Sequence, residues 1–141
     1  MKQQTIKEWV KQVSQETPGM KEEDYRLYVI RDPAQVDLFS AGGTIFYVGQ
    51  ASNPHNRLMI HLGLLWPGPS HVGDFIRDNA PTSGDWLFEQ YTLEDCSQIV
   101  GRCRDVDEAE EALIKLYRPC LNTACNPDPT PLPVPYKSRD R

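Results

Sequence analysis

Apolar residues recur along this chain with two different periods, and the switches between them mark out the elements. Over residues 5–15, TIKEWVKQVSQ, positions Ile6, Trp9, Val10 and Val13 fall on one helical face, and Pro18 and Gly19 follow as a stop. YRLYVIR, residues 25–31, is rich in aromatic and β-branched side chains and reads as a strand. Residues 32–43 hold a proline and a glycine pair and read as a loop. TIFYVG, residues 44–49, is apolar on both faces. Strict alternation places Ile45 and Tyr47 on one side and Phe46 and Val48 on the other, the pattern of a central strand with a layer above and below.

The second half opens with a helix start at Asn53-Pro54. The asparagine side chain accepts from free N–H groups, and proline fits the first helical position. This helix extends to about Gly63, with Leu58 and Leu62 toward the core. A proline-rich loop covers 64–70, a short helix 71–79, a turn 82–85 and a strand 86–92. Thr92 with Asp95, and Asp105 with Glu108, have the spacing of helix caps, for helices over 93–101 and about 106–117. The expected order is helix, strand, strand, helix, helix, strand, helix, helix. It predicts an α+β domain with a small antiparallel sheet of about three strands flanked by helices, the two early strands pairing as a hairpin.

Length and composition narrow the picture only a little. A chain of 141 residues suits one domain with a core of its own. The expected organisation is an N-terminal amphipathic helix over 1–20, a main domain over 21–124, and a proline-rich tail over 125–141 lying extended on the surface or unfolded. The formal net charge of −5 argues against a DNA-coating protein, but it leaves room for a local basic groove, because distant charge is screened. Cys96, Cys103, Cys120 and Cys125 lack zinc-ribbon spacing and read as free thiols of a reducing compartment. The first twenty residues have no apolar run of a signal peptide, and no segment has the length of a membrane span, so the expected setting is the cytoplasm.

Candidate chemistry gathers around the joint FYVGQASNPHNRL, residues 46–58. Tyr47 closes a strand just before Gly49, where a ligand backbone has room to approach. Arg57 stands one turn inside a helix whose start already favours anions, and His61 shares its face four residues on. Tyr28 lies on the partner strand. Glu110 sits far downstream in DVDEAEEA. Two phenols, a guanidinium, an imidazole and a carboxylate make up a set able to handle a phosphodiester. Singly, each is an ordinary packing or surface residue.

Tyr47-Val48-Gly49-Gln50-Ala51, then Asn53, then Asn56-Arg57-Leu58, resembles the second half of the GIY-YIG nuclease signature, and most of all that of the N-terminal nuclease domain of the bacterial excinuclease. Glu110, Leu113-Ile114-Lys115, Tyr117-Arg118-Pro119 and Asn122 resemble the closing motif of the same family. The likeness spans residues 24–123. It departs at Arg26-Leu27-Tyr28, where only the tyrosine of Gly-Ile-Tyr remains, and in the longer interval from Tyr28 to Tyr47. The resemblance implies a stand-alone GIY-YIG fold and hydrolysis of DNA with one Mg²⁺ or Mn²⁺ held by Glu110. It also implies catalytic roles for Tyr28, Tyr47, Arg57, His61 and Glu110, and substrate contacts from Gly49, Asn53 and Asn122. Two other readings fit the same residues: a DNA-binding module without turnover, and a nuclease component that cuts only when a protein partner brings the DNA.

Overall fold

The computed structural model describes residues 1–12, 24–34 and 42–139. The expected stop at Pro18-Gly19, the helix-face position Val13 and most of the 32–43 loop lie outside the described residues. The elements are β1 (Lys2–Thr5), α1 (Ile6–Val10), β2 (Leu27–Asp32), β3 (Thr44–Gln50), α2 (Pro54–His61), α3 (His71–Asp78), a 3₁₀ turn (Thr82–Asp85), β4 (Leu87–Tyr91), α4 (Leu93–Val100) and α5 (Val106–Tyr117). The class is α+β. Among the described residues the sheet is wholly antiparallel, but it has four strands rather than about three, in the order β1-β4-β2-β3.

The extra strand is β1. Its KQQT sequence is polar, so no hydrophobic alternation betrays it. It is held through backbone pairing to β4. The N-terminal helix is correspondingly shorter than residues 5–15 suggested, with Thr5 and Glu8 closing a capping box at its start. Ile6 and Trp9 are buried as expected, whereas Val10 is exposed.

All six residues of β2 are buried, and apolar layers cover both sheet faces. One layer joins Tyr28, Ile30, Phe46 and Phe88 to residues of α1, α2 and α3. The other joins Leu27, Val29, Ile45 and Val48 to α4 and α5. The β2–β3 hairpin has the expected pairing with one irregularity. Ile30 faces Tyr47 and Arg31 faces Ile45, leaving Phe46 as an extra residue. This bulge breaks the alternation, so Phe46 and Tyr47 both pack on the α2–α3 side, contrary to the simple period-two reading.

β3 is apolar on both faces, yet it is the last strand in the hydrogen-bonded order rather than a central one. Its open edge is covered by the chain leaving α5. Cys120 N–H donates to Ile45 C=O at 3.3 Å and Leu121 N–H to Phe46 C=O at 2.8 Å. The Asn122 side chain then donates to Val48 C=O and accepts from Val48 N–H, each at 2.9 Å. Covering the edge in this way removes a template for unwanted strand pairing.

The proline-rich tail is not loose. Tyr136 is buried against Phe46, Phe75 and Trp86, with ring centroids 4.8, 6.2 and 5.6 Å away, and its hydroxyl donates to Asp32 at 2.7 Å. Asn79 and Lys137 exchange two hydrogen bonds, and Arg139 pairs with Asp74 and Asp78. Proline content pointed to an extended surface segment. One aromatic anchor and its hydroxyl partner hold that segment against the domain. The four cysteines are free, and among the described residues no helix is long and apolar enough to cross a membrane.

Candidate functional site

The bulge at Phe46 turns Tyr47 onto the same sheet face as Tyr28, and the two rings lie 6.1 Å apart. Tyr28 pairs with Gly49 across the hairpin. A Cβ at Gly49 would stand 2.4 Å from the Tyr28 ring and hydroxyl, so the missing side chain makes room for this phenol. Gly49 is thus taken up by Tyr28, where the sequence suggested an approaching substrate.

α2 supplies the next two groups. Asn53 caps it by accepting from Asn56 N–H at 3.1 Å, and Pro54 opens it, as its sequence indicated. Leu58 and Leu62 anchor it in the core, which sets its turn-by-turn orientation. His61 is therefore buried beside the tyrosines, 6.0 Å from each ring centroid, while Arg57 is exposed at the rim. His61 Nε2 is 2.8 Å from the Tyr28 hydroxyl and its Nδ1 is 2.5 Å from Ser70 Oγ. Burial, aided by the nearby Arg57 and His71, lowers the His61 pKa to about 4, so the imidazole is neutral at pH 7.

Glu110 comes from α5, on the other side of the sheet. Because β3 is the edge strand, helices from both faces can meet beside it. Glu110 is half-buried, and its charge is felt by both tyrosines, as is that of Arg57. Burial pushes the Glu110 carboxyl above its ordinary range; Gln50, which also donates to Asp107 at 2.7 Å, pulls it back, and Asp107 raises it. Tyr28 and Tyr47 are both held above the usual phenol range, by burial first. For Tyr28 the Tyr47 phenol and Glu110 add to this, for Tyr47 the Glu110 carboxylate adds, and Arg57 opposes the rise in both.

Five of the expected residues, Tyr28, Tyr47, Arg57, His61 and Glu110, are thus brought together from four elements. They are not equivalent. Tyr28 is 1% exposed, stacked on Phe88 at 5.1 Å and bonded to His61, so it faces the interior. Tyr47 is half-buried, and its hydroxyl has no hydrogen bond among the described residues. The same holds for the Arg57 guanidinium and for ion pairs of Glu110. Asn122 stands apart from a substrate role, since both ends of its amide are used by Val48.

Glu110 suits a hard divalent cation. It offers carboxylate oxygens with no cationic partner among the described residues, and Mg²⁺ is commonly held by one or two carboxylates while keeping several waters. Among the described residues no group of three or more His, Cys, Asp or Glu forms a closed metal cage. Two neighbours escape a reading of the sequence. Ser70 contacts His61, and the His71 ring lies 6.4 Å from that of Tyr47. Their only local signal is that Ser70 heads a helix, where a serine is usual for capping alone. Compared with protein-family models, curated proteins and solved structures, the chain matches none.

Proposed function

We propose that the chain is a divalent-metal-dependent DNA endonuclease working in a reducing, cytoplasmic setting. The observation that carries this reading is a convergence beside the β3 edge. A guanidinium and a carboxylate, each without an ion pair among the described residues, meet a phenol whose hydroxyl is free among them. The motif resemblance supports the same assignment. Arg57 neutralises charge on the scissile phosphate as the transition state forms. Tyr47 is a neutral phenol in the resting protein, able to accept from the attacking water and to donate to a phosphate oxygen. Tyr28 and His61 form the wall behind it. Glu110 would hold Mg²⁺ or Mn²⁺, which when bound supplies charge stabilisation at the departing oxygen.

The net charge of −5 favours one variant of this reading, in which a protein partner brings the DNA. The test is cleavage of labelled branched and linear DNAs with Mg²⁺ or Mn²⁺, wild type beside Glu110→Ala and Arg57→Ala. We expect cutting by the wild type and a loss of about 10²–10³-fold in each variant. Folded wild type that binds DNA in metal without cutting it is a binding module, and the enzyme reading then fails. Activity that returns only on adding a co-purifying protein identifies the partner-dependent form.

A further inference from the structure

The Tyr28 hydroxyl, the His61 ring and the Ser70 hydroxyl form one hydrogen-bonded chain running from the sheet to the start of α3. We propose that Ser70 is a positioning residue for the hydrolysis, fixing the His61 tautomer that carries its proton on Nδ1 and leaving Nε2 to hold the Tyr28 hydroxyl. The catalytic part of this statement rests on the endonuclease reading. The tautomer part rests on geometry alone.

Burial decides the direction of the chain. Tyr28 is 1% exposed, so its O–H must find an acceptor inside the protein, and His61 Nε2 at 2.8 Å is its hydrogen-bond partner. A neutral imidazole that accepts at Nε2 carries its proton on Nδ1. That N–H points to Ser70 Oγ, 2.5 Å away, and donates to it. Ser70 Oγ also accepts from Gly73 N–H at 3.2 Å as the cap of α3. Both acceptor sites of the hydroxyl are then filled, and its own proton is free to reach solvent, because Ser70 is only half-buried. The opposite tautomer would use Nε2–H as donor to Tyr28 and strand the buried phenol proton.

The chain matters for the reaction because of what leans on it. The Tyr28 ring fills the space above Gly49 and lies 6.1 Å from the Tyr47 ring, and His61 meets Tyr47 edge-on at 6.0 Å. Ser70 therefore fixes the backing of Tyr47 without touching substrate. Neither the Arg57 nor the Glu110 side chain is hydrogen-bonded to Ser70, so DNA and metal binding stay intact when it is changed.

The test compares wild type with Ser70→Gly and Ser70→Thr. Glycine is tolerated at a helix N-cap, so it removes the hydroxyl with little harm to α3, and threonine keeps the hydroxyl. Nitrogen NMR of the His61 ring reads the tautomer with or without activity. We expect the Nδ1–H form in wild type and Ser70→Thr, and a mixture in Ser70→Gly, where Nδ1–H loses its acceptor and each tautomer leaves one donor unpaired. In Ser70→Gly we expect kcat to fall roughly three- to tenfold, the worth of one hydrogen bond, with KM unmoved. An Nε2–H tautomer in wild type overturns the proposal, as does Ser70→Gly with unchanged tautomer or unchanged kcat. If wild type cuts no DNA, the endonuclease reading and the catalytic part fall together, and the ring spectra alone decide whether Ser70 sets His61.

Discussion

The Arg31–Glu89 cluster and the Arg57–Glu110 cluster use the same side-chain types: an arginine, a glutamate and tyrosines. The first lies between the sheet and α5. Glu89 is 2% exposed and accepts from Arg31 Nε at 2.9 Å, from the Tyr91 hydroxyl at 2.7 Å and from Gln3. The Arg31 guanidinium also lies 6.0 Å from the Tyr117 ring. The carboxylate is thus tied to β1, β2 and β4 at once, and the network is closed. In the second cluster Arg57 and Glu110 influence the same two tyrosines, yet among the described residues neither charge is ion-paired and the Tyr47 hydroxyl is free. The same chemistry stabilises where its partners are supplied by the fold. Where no ion-pair partner is supplied among the described residues, the charges stay open, which is what the proposed phosphate and cation binding needs.

Breaking the closed network gives the largest expected effect. Glu89→Ala leaves the Arg31 charge buried and uncompensated, which costs about 3–5 kcal/mol. Urea denaturation measures it, and cleavage per folded molecule should stay at the wild-type level. A loss below about 1 kcal/mol would show that the two clusters do not differ as described.

Packing beneath the open cluster comes next. Gly49→Ala drives a Cβ to 2.4 Å from the buried Tyr28 ring, an overpacking worth about 1–3 kcal/mol. Gly84→Ala is the control, since its Cβ would meet only Lys7 at 3.5 Å, an ordinary contact. Equal melting temperatures for the two variants would mean that Tyr28 does not need the space at Gly49.

Burial raises the folded-state pKa of Glu110 above its unfolded value, so folding favours its protonated form. Below the ordinary carboxylate range Glu110 is neutral in both states and contributes nothing. As pH rises through the unfolded and then the folded pKa, ionising it opposes folding. Glu110→Gln should therefore be slightly more stable than wild type at pH 7, with the gap closing as pH falls below the ordinary carboxylate range. Thermal unfolding across pH 3–8 reads this directly. A variant less stable at pH 7 would mean that the Gln50 hydrogen bond outweighs the burial of the Glu110 carboxylate.

Much of this arrangement is legible in the sequence, and the misses have physical causes. Tyr28, Tyr47, Arg57, His61 and Glu110 come together beside one strand edge, a grouping that the family resemblance implies. Gly49 and Asn122 also stand out in the sequence, but for another reason than the substrate contact it suggests. One yields its space to Tyr28 and the other clamps Val48, and both partners are distant or cross-strand. Ser70 gives no signal beyond that of a helix cap, because its contact with His61 bridges a nine-residue separation.

What the sequence determined by itself was local. Asn53, Thr92 and Asp105 set the starts of α2, α4 and α5, since a cap is a contact between residues three apart. The helical period likewise placed Leu58 and Leu62 of α2 toward the core. The tertiary structure alone decided the polar strand β1, the bulge that turns Tyr47 toward Tyr28, the covering of the β3 edge by residues 120–122, and the burial of Tyr136. Each of these depends on backbone pairing or packing between segments far apart in the chain. A window of neighbouring residues carries no trace of such partners.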